Sequence, residues 1–472
     1  LSIPGEIDLV TAVAASDQAF DTVSALSVAR KSGADFVLSG SISLFGNYVS
    51  SDALLFDVSQ GTKVGSFSRS GNSIEELPDH IAGIAADVRG LVVLGQQPAQ
   101  QQATLTYQNY SAQGGEISYL APAAAGVVDL TLESRFDGHF SAIAAGDVDG
   151  DGNNEICVAS VGSLILYRWE QGQLIKLGTM KVSPAANILG LDIVDLNGNG
   201  RSEIFVSNFH EGQGRLNSYV VEWDGASLIN VAEKLPWFLN SLPSVDGNGS
   251  TLIGQQVGMN SLYSKDGLFE MVWDGSQYEP GQKLSVPPSI DIYGSAVADF
   301  MQTGSDQFAK IGNDQEVSLV AADSSVLWTS SENDFGGGLR TISIDPASIG
   351  MSIPTSGDTM LFFLKQRILS ADWDKDGRQD MIIVRNKDTS SKYLTQTRVY
   401  KSGAIDVLSW EGNKMDVRWS TEQMTGFTSD YIYADVTNDG VPELVAIQVV
   451  KTSKALGLLG RTTSVLRIWG KE

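Results

Sequence analysis

Short runs of alternating apolar and polar residues fill most of the chain, and clusters of Asp, Asn and Gly separate these runs. Four stretches show the pattern most clearly: AIAAGDVDGDGNNEICVAS (142–160), ILGLDIVDLNGNGRSEIFVSN (188–208), RILSADWDKDGRQDMIIVRN (367–386) and YIYADVTNDGVPELVAIQV (431–449). In each stretch, two runs rich in β-branched and aliphatic residues flank an acidic turn, which predicts two strands joined by a tight loop. The chain therefore contains several copies of one strand–loop–strand unit.

The acidic turns place oxygen-bearing residues two positions apart, followed by a glycine and a final carboxylate. Alternating oxygens on a tight loop suit a hard cation with about six to eight oxygen ligands, which describes calcium better than zinc or copper. Each loop offers five candidate ligands. The sets are Asp147, Asp149, Asp151, Asn153 and Glu155; Asp195, Asn197, Asn199, Arg201 and Glu203; Asp372, Asp374, Asp376, Arg378 and Asp380; and Asp435, Thr437, Asp439, Val441 and Glu443. The fourth residue of each set would bind through its carbonyl oxygen and the other residues through their side chains.

We expect two strong calcium sites, in the loops at 147 and 372, and two weaker ones, in the loops at 195 and 435, where amides or a hydroxyl replace carboxylates. An EF-hand begins similarly, but it needs flanking helices and a glutamate at position 12, where this chain has Val158, Val206, Ile383 and Ala446. A second interpretation stays open at this point: Asp, Asn and Gly also form good turns without any metal.

Two further copies of the unit keep the turn and lose most of the regularly spaced acids. One is LPSVDGNGSTLIGQQVG (242–258), and the other is AVADFMQTGSDQFAKI (296–311), which keeps Asp299 and has Met301, Thr303 and Gln307 at the other ligand positions. We expect no metal in the second. A tryptophan near a strand end accompanies each copy, at Trp169, Trp223, Trp273, Trp328, Trp410 and Trp469. We expect these rings to pack between neighbouring units, and sugar stacking is the alternative.

Six units of roughly 50 to 60 residues, each with about four short strands, are typical of a β-propeller. The predicted fold is therefore mainly β, with a six-bladed propeller over residues 105–472 and seven blades as the alternative. The last unit ends without an outer strand, so we expect a strand at about 127–136 to close the ring. The long stretch 329–366 is predicted to be an insertion within the fourth blade.

The amino-terminal residues do not share the repeat. A predicted strand (7–13) and helix (21–31) precede two or three antiparallel strands within 34–71. Ser73 and Glu76 then form a capping box ahead of a second helix whose apolar series is Ile81, Ile84, Ala85 and Val88. This pattern predicts a small α/β domain at 1–95, followed by a polar linker at 96–104.

Composition limits the partners. The 32 Lys and Arg residues against 56 Asp and Glu residues give a formal net charge of −24, which argues against nucleic acid or an anionic membrane surface as partner. No run of apolar residues is long enough to predict a membrane span. The single cysteine, Cys157, excludes an intrachain disulfide framework and is expected to be a buried thiol. The chain starts at Leu1 without a basic, apolar leader, as expected of a processed export product.

The sequence offers little support for catalysis. Its three histidines, His80, His139 and His210, have no zinc-site spacing, and no nucleophile elbow, P-loop or dinucleotide fingerprint occurs. We therefore expect no catalytic residues and no enzyme, with polysaccharide lyase activity as the open exception.

The stretch FSAIAAGDVDGDGNNEICVAS (140–160) resembles the FG-GAP or VCBS-type repeat of integrin α-chain propellers and of many bacterial envelope proteins. The resemblance covers roughly residues 140–472 and implies calcium in the four loops, on one face of the propeller. The chain lacks the Gly-Ala-Pro that ends the eukaryotic motif. The run GADFVLSGSISLFGNYVSSDALLFDV (33–58) is similar to the α/β domain that precedes the propeller in Tol-Pal translocation proteins of Gram-negative bacteria, which implies a periplasmic or other exported location.

Three functions compete at this stage. The leading hypothesis is a calcium-stabilised, non-enzymatic scaffold of the bacterial envelope that binds protein partners. The first alternative is a carbohydrate-binding protein or polysaccharide lyase, in which Arg340, Lys365 and Arg367 would converge on a glycan. The second alternative is a structural component of a surface assembly.

Overall fold

The computed structural model describes residues 29–31, 33–45, 48–59, 63–71, 77–94, 128–183, 185–243, 250–259, 261–345, 360–388, 398–452 and 461–471. The chain divides into two compact units, of which the first holds the amino-terminal sheet and the second holds most of the other sheets. Within the described part of the chain, no helix combines the length and the hydropathy that a membrane crossing requires.

Three antiparallel strands and one helix form the described part of the amino-terminal segment. The strands β1 (Phe36–Phe45), β2 (Tyr48–Asp57) and β3 (Lys63–Gly71) lie in that order, and helix α1 spans Leu77–Leu94. The predicted antiparallel strands and second helix are thus confirmed. Residues 29–31 are also helical, whereas the predicted strand 7–13, the capping box and the linker lie outside the described residues.

The contact between α1 and this sheet differs in part from the prediction. Ile84 is buried in a cluster with Leu55 and Phe67, and Val88 packs against this cluster. Ile81 and Ala85 are exposed, so the predicted apolar face was wrong at these two positions. The apolar stripe of α1 begins at Ile84 and continues through residues one and two turns later, as helical spacing requires.

Antiparallel sheets of four or five strands make up almost all of the second unit. Strand β4 (Val128–Asp137) comes first along the chain but lies in the last sheet. The first two sheets contain β5 (Phe140–Gly146), β6 (Glu155–Ser160), β7 (Ser163–Glu170) and β8 (Gln173–Lys181); and β9 (Ala186–Val194), β10 (Glu203–His210), β11 (Arg215–Leu216), β12 (Ser218–Trp223) and β13 (Leu228–Leu235). A 3-10 turn, Glu211–Gln213, precedes β11.

The later sheets repeat the same order. The third and fourth contain β14 (Phe238–Pro243), β15 (Ser250–Gln255), β16 (Phe269–Trp273) and β17 (Tyr278–Lys283); and β18 (Ser295–Ala298), β19 (Gln307–Ile311), β20 (Val317–Val320) and β21 (Val326–Thr329). A hairpin of β22 (Thr341–Ile344) and β23 (Met360–Phe363) follows. The last two contain β24 (Ile368–Ala371), β25 (Asp380–Asp388), β26 (Tyr400–Trp410), β27 (Met415–Ser420) and β28 (Met424–Thr425); and β29 (Phe427–Ala434), β30 (Glu443–Thr452), β31 (Arg461–Lys471) and β4.

First strands of several neighbouring sheets contact one another, including those of the last sheet and the first. Strand β5 contacts β9, β9 contacts β14, β18 contacts β24, and β29 contacts β5. The return contact is hydrogen-bonded, because the Ile143 amide donates to Asp430 Oδ2 (3.1 Å) and the Ser429 hydroxyl donates to the Phe140 carbonyl (2.8 Å). This seam between the last sheet and the first closes the arrangement expected of a β-propeller.

Hydrophobic clusters fill the space between sheets. Cys157 of the first sheet and Val221 of the second belong to one such cluster, and Ile382 of the fifth and Leu444 of the sixth belong to another. The recurring tryptophans at 223, 328 and 469 lie in these clusters, which supports packing between sheets. Trp328 lies in β21, the outermost strand of its sheet, whereas the other five lie in the strand that follows and pairs with the strand after the loop, or after its equivalent turn.

The β22–β23 hairpin comes between complete sheets. The segment after Thr329 follows the last strand of the fourth sheet, so it does not interrupt that sheet as the sequence predicted. Ile342 and Ile344 pack with Leu189 of β9 and Phe238 of β14 in one buried cluster. The hairpin therefore contacts the inner strands of the second and third sheets.

The predicted mainly β, propeller-type fold is confirmed by these sheets. The described residues form six sheets of at least four strands and one two-stranded sheet in this unit. The choice between six and seven blades, and the domain limits at 95, 104 and 105, stay predictions.

Candidate metal sites

The four predicted loops all join the first and second strands of a sheet. Their position-four and position-six residues have positive φ, with Gly150 at 79° and Gly152 at 88° in the first loop and Lys375 at 59° in the third. The loop at 299 has the same conformation, with Gln302 at 54°. The backbone conformation alone therefore does not distinguish a loop rich in acids from one that lacks them.

The first aspartate of each loop organises the turn. Asp147 accepts hydrogen bonds from the amides of Gly150 (2.7 Å) and Gly152 (2.8 Å), and Asp299 accepts from Thr303 (2.8 Å) and Gly304 (2.7 Å). These bonds are those of an ordinary Asp turn. The turn-only interpretation therefore accounts for the first aspartate, and the evidence for a metal must come from the other acids.

The last acid of each loop is buried, which a turn does not require. Exposure is 0% for Glu155 and Glu203, 1% for Asp380 and 3% for Glu443. In the loop at 147, one ligand oxygen each from Asp147, Asp149 and Glu155 lies within 4.8 Å of the others. The same holds for Asp372, Asp374 and Asp380, and for Asp435, Asp439 and Glu443. The carboxylates thus converge in three loops.

We call the last acid of each loop (Glu155, Glu203, Asp380 and Glu443) its closing acid. Burial raises the pKa of every closing acid, because a low-dielectric surrounding disfavours the charged form. The pKa of Glu155 rises to about 7 and that of Asp380 to about 6, with smaller opposing effects from hydrogen bonds to Arg168 and to Ser409. The pKa of Glu203 and Glu443 is raised as well. A divalent cation beside these groups would favour their ionised form, so the oxygen-only donor set fits calcium.

The closing acids also brace the start of their own loops. Glu155 Oε2 accepts the Val148 amide (3.2 Å), and Asp380 Oδ2 accepts the Trp373 amide (2.9 Å). In the loop at 435, Glu443 accepts both the Val436 amide (2.9 Å) and the Thr437 hydroxyl (2.8 Å).

The acids at position five of the loops at 147 and 372, Asp151 and Asp376, are not part of the carboxylate clusters named above. Asp151 Oδ1 accepts the Asn153 amide (2.8 Å), and Asp376 accepts the Arg378 amide (2.9 Å) and its Nε (2.6 Å). In the loop at 435, Asp439 accepts the Val441 amide (2.8 Å). These side chains hold the residue whose carbonyl is the predicted position-seven ligand.

The loop at 195 has the same shape with fewer charges. Asp195 accepts the amides of Gly198 (2.8 Å) and Gly200 (2.9 Å), and Asn199 Oδ1 accepts the Arg201 amide (2.8 Å). Glu203 accepts the Leu196 amide (2.8 Å) and the Tyr278 hydroxyl (2.9 Å). Only Asp195 and Glu203 are acids among the five predicted ligands, in line with the weaker site expected here.

The loop at 299 replaces the closing acid with an amide. Gln307 Oε1 accepts the Met301 amide (2.8 Å), and its Nε2 donates to Thr303 Oγ1 (2.9 Å). An uncharged side chain thus braces this loop from within. The turn of the copy at 242–258 lies at 244–249, outside the described residues.

Neighbouring loops are joined by hydrogen bonds. The Asn154 side chain donates to the Asp435 carbonyl (2.8 Å), and the Asn154 amide donates to Asn438 Oδ1 (2.6 Å). On the other side, the Ser202 amide donates to the Asp147 carbonyl (2.7 Å). The loops at 435, 147 and 195 therefore form a connected row across the seam.

Three residues outside the predicted ligand set, Arg168, Glu222 and Ser409, reach these loops from strands that carry a recurring tryptophan. Arg168 Nε donates to Glu155 Oε1 (2.8 Å), Asn197 Nδ2 donates to Glu222 Oε1 (3.0 Å), and the Ser409 hydroxyl donates to Asp380. None of the three was predicted from the sequence. A signal was present, since each directly precedes one of the recurring tryptophans.

The basic residues of the glycan hypothesis bind protein groups instead. Arg367 pairs with Asp430 (Nε to Oδ1, 3.0 Å), and Arg340 pairs with the same carboxylate (Nη2 to Oδ1, 3.0 Å) and donates to the Ser429 carbonyl (2.8 Å). Lys365 Nζ donates to the Ile311 carbonyl (2.5 Å). The hydrogen bonds of these three side chains link the segment between β21 and β24 to β19 and β29.

Comparison with known families identifies a repeat in this chain. Residues 147–206, which contain the first two loops, match the family model described as "FG-GAP-like repeat". No curated protein matches the chain in a sequence comparison.

Several solved structures are similar to this chain at low identity. The PQQ-bound aldose sugar dehydrogenase of Streptomyces coelicolor shares 14% identity over 74% of this chain and 100% of its own, with a TM-score of 0.36. A protein from Lactobacillus plantarum shares 11% identity over 69% and 85%, with a TM-score of 0.32. TolB from Acinetobacter baumannii shares 13% identity over 85% and 83%, with a TM-score of 0.24.

Proposed function

We propose that this protein is a calcium-stabilised, non-enzymatic binding scaffold of the bacterial envelope. One observation carries the proposal: a buried closing acid lies with two other carboxylates in each of three loops that join the first two strands of a sheet. Carboxylates at such close range, one of them buried in each loop, repel one another unless a cation neutralises them. Calcium would supply that positive charge, and the loops would hold it with Asp, Glu and carbonyl oxygens.

The envelope location follows from the affinity expected of such loops. Extracellular calcium modules bind at about 10⁻⁴ to 10⁻³ M, so these sites would be filled at the calcium levels outside the cytosol and largely empty within it. The connected row of loops at 435, 147 and 195 would then be stabilised at the seam, where the ring closes. This supports a role in which calcium maintains a rigid binding surface.

The contacts of Arg340 and Arg367 favour a protein partner over a glycan. Arg340 and Arg367 contact Asp430, and their side chains are only 15% and 10% exposed. They are therefore poorly placed to receive an acidic sugar. The net charge of −24 favours a partner with a basic surface.

The calcium part of the proposal is tested by thermal unfolding in 1 mM CaCl₂, 1 mM MgCl₂ and EGTA. At a concentration about ten times the dissociation constant, each filled site adds about 1.4 kcal/mol. Asp374→Asn should remove the share of one loop, whereas Asp323→Asn, an exposed aspartate outside the four loops, should leave the calcium response unchanged. Equal unfolding temperatures in calcium and EGTA would refute the calcium role.

The scaffold part is tested by passing an envelope extract over the immobilised protein in millimolar calcium and eluting with chelator. We expect a defined protein partner that the Asp374→Asn variant retains less well than the Asp323→Asn variant. Elution of glycan without protein would favour the carbohydrate-binding alternative. Turnover of acidic polysaccharides by the purified protein would contradict the non-enzymatic assignment.

A further inference from the structure

In three sheets, a strand that carries a recurring tryptophan also presents a side chain to the loop. Arg168 of β7 is the cross-strand partner of Glu155. In the second sheet, Ile204 pairs with Val221, and one step further this register brings Glu203 opposite Glu222. In the fifth sheet, Met381 pairs with Leu408, and the same step brings Asp380 opposite Ser409.

These three positions are equivalent but carry different charges. Each directly precedes a recurring tryptophan, and in these three sheets the residue at this register position faces the loop. The residue is a cation in the first sheet, an anion in the second and a neutral hydroxyl in the fifth. We name this residue the opposing residue of the loop.

Arg168 occupies oxygens that a cation in the loop at 147 would need. Its guanidinium donates to Glu155 Oε1 (2.8 Å) and to Asp149, and it lies 3.7 Å from Asp151. It therefore contacts three of the four acids of this loop. An arginine in such a fork geometry satisfies carboxylates strongly.

Glu222 has the reverse effect on the loop at 195. Its carboxylate accepts a hydrogen bond from Asn197 (3.0 Å), one of the predicted ligands. It adds a third acid to a loop whose own ligands include only two, Asp195 and Glu203. The loop at 372 keeps its four acids beside Ser409, and Arg378 there lies between Asp376 and Glu411.

We propose that the opposing residue determines the calcium affinity of each loop, so that Arg168 weakens the site at 147 and Glu222 strengthens the site at 195. This inference rests on the proposed function, because it requires calcium in the loops. It changes the order expected from the ligands alone. The loop at 372 becomes the tightest site, and the loops at 147 and 195 become similar, each with three net negative charges among their acids and opposing residue.

The test isolates one loop at a time in the full chain. Asp195→Asn, Asp372→Asn and Asp435→Asn together leave the loop at 147 intact, since asparagine keeps an acceptor for the turn. In this background, Arg168→Gln is compared with Arg215→Gln, which removes the same charge from an exposed residue of β11, opposite His210 at the far end of β10. Calcium binding is measured by titration calorimetry with calcium chloride alone.

The loop at 195 is tested in the complementary background of Asp147→Asn, Asp372→Asn and Asp435→Asn. Here Glu222→Gln is compared with Glu233→Gln, an exposed residue of β13. We expect Arg168→Gln to tighten calcium binding about tenfold and Glu222→Gln to weaken it about tenfold, each equivalent to about 1.4 kcal/mol. The controls should change it less than about twofold.

A second readout separates this effect from a purely structural one. Arg168→Gln leaves Glu155 buried without its partner, so it should lower the unfolding temperature in EGTA while raising the calcium affinity. A purely structural residue would lower both. Lower stability together with unchanged or weaker calcium binding would therefore overturn the inference.

The outcomes distinguish this inference from the proposed function. A calcium affinity that neither Arg168→Gln nor Glu222→Gln changes would overturn the inference but would not contradict the calcium-stabilised scaffold. Shifts of opposite sign in the two loops, with no envelope partner found, would support the inference and count against the scaffold. No calcium binding by any variant at 10 mM would overturn both.

Discussion

Asp430 holds the seam of the propeller, and its removal is expected to be severe. Its buried carboxylate accepts the Ile143 amide of the first sheet (3.1 Å) and pairs with Arg367 (3.0 Å) and Arg340 (3.0 Å) from the segment after β21. The change to test is Asp430→Asn, which keeps the shape of the side chain and removes its charge. Two guanidiniums then lose their shared counter-charge in a largely buried place.

The magnitude follows from the cost of an unpaired buried charge. Breaking a buried ion pair from one side costs about 3 to 5 kcal/mol, whereas an exposed pair is worth about 0 to 1 kcal/mol. We expect Asp430→Asn to lower the free energy of unfolding by about 3 to 5 kcal/mol. The matched control is Glu411→Gln, which breaks the more exposed pairs with Arg418 and Arg378 and should cost no more than about 1 kcal/mol.

The assay follows unfolding of the propeller through its own thiol. Cys157 is the chain's single cysteine and is fully buried in β6, so its labelling along a urea gradient reports opening of this unit. Calcium is held constant throughout. A loss for Asp430→Asn no larger than that for Glu411→Gln would refute the reasoning. The double variant Asp430→Asn with Arg367→Gln should lose less than the sum of the single variants.

Three further outcomes follow from single side chains. Burial raises the pKa of the Cys157 thiol to about 12, so a thiol reagent at pH 8 should modify the native protein far more slowly than the urea-unfolded chain; equal rates would contradict its burial. The Gln277 amide and the Ser276 side chain lower the pKa of Asp274, so the charge stabilises the fold above the ordinary aspartate value of about 4. Asp274→Asn should therefore be less stable than the wild type at pH 7, and this difference should disappear as the pH falls through the lowered pKa; a pH-independent difference would contradict it. A Cβ on Gly146 would meet Ile193 Cγ2 at 2.4 Å, so Gly146→Ala should lower the free energy of unfolding in urea by about 1 to 3 kcal/mol. An unchanged free energy of unfolding would show that β5 and β9 can move apart here without cost.

Local pattern was sufficient for the hairpins. Each predicted loop is flanked by strands, because two alternating apolar runs around a glycine-rich turn have few other low-energy arrangements. The convergence of Asp147, Asp149 and Glu155 also follows from the loop spacing. For such features, all the interacting residues lie within about ten positions of one another.

The remaining features depend on pairs that are distant along the chain. Ile143 and Asp430 are 287 positions apart, and sequence spacing does not show that they meet. The same reason explains why Arg340 and Arg367 seemed available for a glycan, although both contact Asp430. Arg168 is an intermediate case. It lies only 13 positions from Glu155, but its effect on the loop becomes visible once the register of β6 and β7 is known.

The seam also has a consequence for the order of folding. Its two sides come from opposite ends of the repeat array, so the contact between β5 and β29 belongs to the slowest class of contact to form. Until the sixth sheet has formed, β5 lacks its contact with β29, and the row of loops at 435, 147 and 195 lacks its first member. Under the proposed calcium role, ions bound in the loops at 435 and 147 would stabilise this last contact of the ring.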